Sequence, residues 1–173
     1  MLQNPPLKTT RAMQVELRLP AEAAPGEPAR PVVVDTNVAL DLLIFSDPRT
    51  APLRALLAQG RLSWIATQVM RDELERVLAY PHIVGRMDYY RVDAAQVLAA
   101  FDAQARLVEI APKVPYVCKD ADDQKFIDLA AAHRAILLSK DKAVICMRKR
   151  LMNFGADVAT ALVLEAEVAA LAV

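Results

Sequence analysis

The stretch Pro31-Val32-Val33-Val34-Asp35-Thr36-Asn37 constrains this chain more than any other. Three valines behind a proline predict a short strand buried on both faces, the mark of a parallel sheet with helices on either side. Three short polar residues then end it and open a helix over 38–45. An aspartate thus stands at the carboxyl end of a central parallel strand, the edge where ligands bind in open α/β sheets. Asp35 can equally serve as a plain helix cap, and the rest of the chain has to decide between the two.

The pattern repeats along the chain. Leu62–Ala66, Leu107–Ile110 and Ala135–Leu138 are predicted strands, with a weak last one near 157–159. Helices are predicted over 49–59, from Thr67 to Tyr80, over 94–106 behind Asp93, from Asp120 or Asp122 to His133, over 142–150, and at the C-terminus. Residues 81–90 read as a short helix or loop. Alternation of this kind predicts a three-layer α/β/α sandwich around a parallel sheet with right-handed crossovers. Residues 1–30 differ. Pro5, Pro6, Pro20, Pro25 and Pro28 punctuate them, so they read as a flexible extension ahead of a domain over 31–173. Met13 to Leu19 alternates weakly, which also suits an edge strand or a partner-binding segment.

Composition excludes several classes. With 173 residues, 55% of them hydrophobic, one domain can fill a core. No apolar run approaches the ~20 residues of a membrane span, and no secretory signal opens the chain. The expected location is the cytoplasm. Cys118 and Cys146 lack metal-ligand spacing and read as reduced thiols. Two histidines, His82 and His133, are too few for a histidine-based metal site. Only four glycines are present, so no Gly-rich phosphate loop exists. The 21 basic and 21 acidic residues cancel, which argues against a bulk electrostatic DNA binder but allows a local acidic pocket.

Such a pocket is predicted. Asp35 follows the first central strand and Asp141 the fourth. Asp120, Asp122 and Asp123 open the helix after the third, and Glu73 lies early in the helix after the second. Strand-to-helix loops of a parallel sheet share one edge, so these acids converge. Converging carboxylates repel and, when buried, neutralise unless a cation joins them. Oxygen ligands suit Mg²⁺ or Mn²⁺. Such an ion lowers the pKa of a bound water and neutralises charge on a phosphate under attack, so phosphodiester hydrolysis is the natural reaction. Each acid has a plainer use. Asp120, Asp122 and Asp123 suit a helix N-terminus, Glu73 can pair with Arg71 or Arg76, and Asp141 can cap.

Val32–Asn37, R-D-E-L-E-R-V-L at 71–78, C-K-D-A-D-D-Q-K-F-I-D-L-A at 118–130 and I-L-L-S-K-D-K at 136–142 resemble, in order and spacing, the four acidic motifs of PIN domains. The resemblance covers roughly 31–165 and is strongest to the bacterial branch of VapC-like toxin components of toxin–antitoxin systems. It implies a metal-dependent ribonuclease cutting single-stranded RNA to leave a 5′-phosphate and a 3′-hydroxyl. Carried over by position, Asp35, Glu73, Asp123 and Asp141 are the catalytic, metal-holding acids, with Mg²⁺ or Mn²⁺ as cofactor. Thr36, Asn37, Asp120 and Ser139 match supporting positions. Asp122, beside Asp123, competes for the third place. A small antitoxin and a homodimer are further implications. Ala121 stands where the branch usually has proline, and Ala161 where its last strand leads through Thr-Pro into a helix. Arg148-Lys149-Arg150, Lys140 and Lys142 are candidate contacts to an RNA backbone. A catalytically silent PIN fold that binds RNA or protein is the alternative. A haloacid-dehalogenase phosphatase needs a second Asp at position 37, which is Asn, and a receiver domain places its acids differently.

Overall fold

Val32 and Val33 have no exposed surface, because neither face of their strand meets water. The computed structural model describes residues 14–165. Its strands are β1 (Glu16–Pro20), β2 (Arg30–Val34), β3 (Leu62–Ala66), β4 (Ala105–Leu107), β5 (Ile136–Leu138), β6 (Asp157–Ala159) and β7 (Ala161–Glu165). Five form one parallel sheet in the order β4-β3-β2-β5-β6, with β2 at its centre. Val32 pairs with Trp64 on one side and Ile136 on the other, and Val34 pairs with Leu138. The helices are α1 (Thr36–Leu40), α2 (Ala51–Ala58), α3 (Gln68–Leu78), α4 (Pro81–Tyr90), α5 (Ala94–Gln104), α6 (Gln124–His133), α7 (Lys142–Ile145) and α8 (Arg148–Met152). They flank the sheet as the α/β/α sandwich predicted. None among the described residues is long and apolar enough to cross a membrane.

Local chemistry sets the helix starts. Thr67 accepts a hydrogen bond from the Met70 N–H at 3.4 Å and begins α3. Asp93 and Gln96 cap each other's backbone at 2.8 and 2.9 Å and begin α5. Residues 81–90 form a helix, with Pro81 at its first position, where the missing N–H costs nothing. The helix after β2 widens into a π-type turn over Asp41–Phe45, and Ser46, with φ +45°, ends it. Trp64 lies fully buried against the edge of Phe101, ring centroids 5.1 Å apart. A side chain of this size contributes about 3 kcal/mol through burial.

Some sequence expectations need revision. The third sheet strand is Ala105–Leu107, not 107–110: pairing of Trp64, Ile65 and Ala66 with 105–107 sets the register, and Ile110 lies 72% exposed beyond it. The helix before it accordingly ends at Gln104. Residues 161–165 form a further strand directly after the one expected near 157–159; the helix expected at the C-terminus falls, beyond 165, outside the described part. Of the readings open for 13–19, residues 16–20 take the strand: β1 runs parallel to β7, Glu16 opposite Ala161 and Pro20 opposite Glu165. Thr160 pins the pair. Its hydroxyl accepts from the Val15 N–H at 3.0 Å and donates to the Val15 carbonyl at 2.9 Å. Residues 1–13 lie outside the described part.

Candidate active site

Asp35 continues the ladder of β2 by donating its N–H to the Leu138 carbonyl at 2.9 Å, and Ser139 continues β5 with a bond to Ala159 at 3.1 Å. The two side chains therefore leave neighbouring strands at the same edge. Asp35 makes no capping bond to α1, so the plain cap reading fails for it. Its Oδ2 instead accepts from the buried Ser139 hydroxyl at 2.6 Å. The same hydroxyl accepts from the Asp141 N–H at 3.0 Å. Burial raises the Asp35 carboxyl above its ordinary pKa; the Ser139 bond opposes this, and the charges of Glu73 and Asp141 add to it.

Asp141 caps α7, accepting from the Ala143 N–H at 2.9 Å. Asp120 accepts from the Asp122 N–H at 3.0 Å, opening a single 3₁₀ turn over 121–123 that leads into α6. That turn points Asp122 outward and Asp123 inward: Asp122 is exposed, whereas Asp123 is only 8% exposed. One carboxylate oxygen each from Asp120, Asp123 and Asp141 lies within 4.8 Å of the other two. Oδ2 of Asp123 is buried and has no hydrogen-bond partner among the described residues. Its carboxyl is pushed up to about 8, first by burial, then by its contact with the Asp141 carboxyl, then by the charges of Asp35, Asp141 and Asp120. An orphaned buried oxygen among three other carboxylates is what a divalent cation would satisfy. The donor set, all oxygen, fits Mg²⁺ or Mn²⁺.

Glu73 stands at the rim in a different way. Its Oε2 accepts from the Thr36 hydroxyl at 2.7 Å and its Oε1 from Lys125 Nζ at 3.1 Å. Arg71 is paired instead with Asp102, at 2.7 and 2.8 Å. The Thr36 hydroxyl thus serves the second acid. Asn37 is exposed, and its side chain makes no hydrogen bond among the described residues. Lys140, a candidate RNA contact, is paired with Asp41 at 2.5 Å, while Lys142, Arg148, Lys149 and Arg150 are exposed.

Sequence reasoning missed Lys125, Gln124 and Asp128. Gln124 accepts from the Cys118 N–H at 2.7 Å and donates to the Tyr116 carbonyl at 3.1 Å and to Asp128 at 2.9 Å. Asp128 also takes the Val114 N–H at 3.0 Å. Together they fasten the proline-containing loop to α6 and so fix where Asp120 sits. Gln124 and Asp128, four apart at the start of a helix, carry a faint signal as a same-face pair. Lys125 carries none until Glu73 is placed opposite it.

Comparison with known proteins agrees with this geometry. The family model described as PIN domain matches residues 31–143. An uncharacterized protein of Methanocaldococcus jannaschii is 25% identical over 120 residues, covering 68% of this chain and 74% of its own length. PIN domains are generally nucleases and typically use divalent metals.

Proposed function

Because the chain belongs to the PIN-domain family, we propose that it is a Mg²⁺- or Mn²⁺-dependent endoribonuclease that hydrolyses phosphodiester bonds of single-stranded RNA. The observation that carries the reading is Asp123 Oδ2, buried and without a donor beside Asp120 and Asp141. Those three acids, with Asp35 next to them, would hold the ion. Bound there, it would supply a water of lowered pKa and neutralise charge on the phosphate.

The protein's own groups do the rest. Ser139 keeps Asp35 oriented and stabilises its charged form. Asp141 is locked by its cap to α7, so its position is set by backbone and not by a free rotamer. Thr36 and Lys125 hold Glu73 at the rim of the cleft. The exposed Arg148, Lys149 and Arg150 on α8 offer charge to the RNA backbone.

Cleavage of a labelled single-stranded RNA pool with Mn²⁺, with Mg²⁺ and with EDTA tests this. Cutting is expected with either ion and none with EDTA, and Asp35→Asn should lose it while keeping the wild-type melting curve. Cutting that survives in EDTA or in Asp35→Asn overturns the reading; metal-independent RNA binding without cutting would support a silent PIN fold instead. The finer proposal, a homodimeric toxin held by a small antitoxin protein, rests on the likeness of the four motifs. Growth arrest on induced expression, absent with Asp35→Asn, together with a dimer mass in solution, is its test.

A further inference from the structure

The acids of the cleft fall into two groups that are neutralised differently. Both oxygens of Glu73 are occupied, one by the Thr36 hydroxyl and one by Lys125 Nζ. Lys125 also donates to the Asp122 carbonyl in the same turn that presents Asp123, so its ammonium is fixed at two points. The Lys125 and Glu73 side chains are 22% and 20% exposed, so the pair is largely withdrawn from water and holds more firmly than a surface pair. Asp123, in contrast, keeps a buried oxygen with no donor. Glu73 thus has its cation, and the Asp120–Asp123–Asp141 group has none among the described residues.

We propose that the Lys125 ammonium takes the place of a second cation beside Glu73, so that the cleft holds one divalent ion and not two. Lysine suits the task. Its charge is compact, and it has three donors to divide between a carboxylate and a carbonyl. Lys125 is a positioning residue: it keeps Glu73 at the rim, out of the ion's ligand sphere. The inference rests on the metal-dependent reading above.

The test is calorimetric titration of Mn²⁺ into metal-stripped wild type, Lys125→Met and Lys125→Met/Glu73→Gln, with frozen-solution EPR of the loaded samples. One Mn²⁺ per chain is expected for wild type. Lys125→Met should take two, with the EPR signature of a spin-coupled pair, and the double variant should return to one. Two ions in wild type, or one in Lys125→Met, overturn the inference and leave the nuclease reading standing. No Mn²⁺ binding by folded wild type overturns both. The wild-type count alone can refute the inference, whatever the stability of the variants.

Discussion

Ser139 has no exposed surface, and its hydroxyl serves two partners at once, donating to Asp35 and accepting from the Asp141 N–H. Alanine there strands a buried carboxylate and a backbone donor together. Ser139→Ala is expected to lose about 2 kcal/mol of stability, the scale of leaving such groups unpaired, as measured by urea unfolding. A loss below about 0.5 kcal/mol would mean that water replaces the hydroxyl. At this scale the sequence was informative for Asp35 and Asp141, because the residue after a buried parallel strand has only one edge to occupy. It was silent on Glu73. Glu73 lies 52 positions from Lys125, and nothing local in 71–78 distinguishes that partner from Arg71 or Arg76. The choice between Asp122 and Asp123 turned on a single 3₁₀ turn, which shifts the inward direction by one residue.

Among the elements, β1 and β7 are the pair that a reading by composition handles worst. Prolines mark 1–30 as a linker, yet the alternation at Val15, Leu17 and Leu19 is that of a half-buried strand, and packing against the core decides for it. Thr160 joins the two strands at both the N–H and the carbonyl of Val15. Thr160→Ala should therefore raise amide exchange across 16–20 by at least tenfold while leaving the five-stranded sheet protected. Uniform loss of protection would show that β1 and the main sheet unfold as one unit. The misplaced third strand has a similar cause. Val108 and Ile110 are apolar enough for a strand, but β4 is an edge strand whose pairing with β3 starts two residues before the expected Leu107, at Ala105. Hydrophobicity cannot see register.

Across the whole molecule, the gathered carboxylates make the metal-free protein sensitive to alkaline conditions. Asp123, raised to about 8, and Asp35, also raised, hold protons in the fold that they release when unfolded. Such groups favour the folded state fully below their unfolded pKa near 4, and that advantage is lost as pH rises through the folded value. In EDTA, the contribution of these acids should make the melting temperature fall between about pH 5 and pH 8. Asp123→Asn should flatten the fall, and Mn²⁺ should reverse it at pH 8 by binding the charged form. A wild-type curve unchanged by Asp123→Asn would show that the carboxyl titrates normally. The parallel three-layer architecture followed from the alternating pattern of strands and helices, whereas the strand order came only with the structure.

The parallel course of β1 and β7 has a mechanical consequence. Pulling the chain by its ends draws β1 from its N-terminal side and β7 from its C-terminal side, in opposite directions along the shared strand axis. The load falls on all the rungs from Glu16–Ala161 to Pro20–Glu165 at once and cannot peel them one by one. Under tension the pair acts as a shear joint, and it must give way before force reaches the sheet that carries the acids.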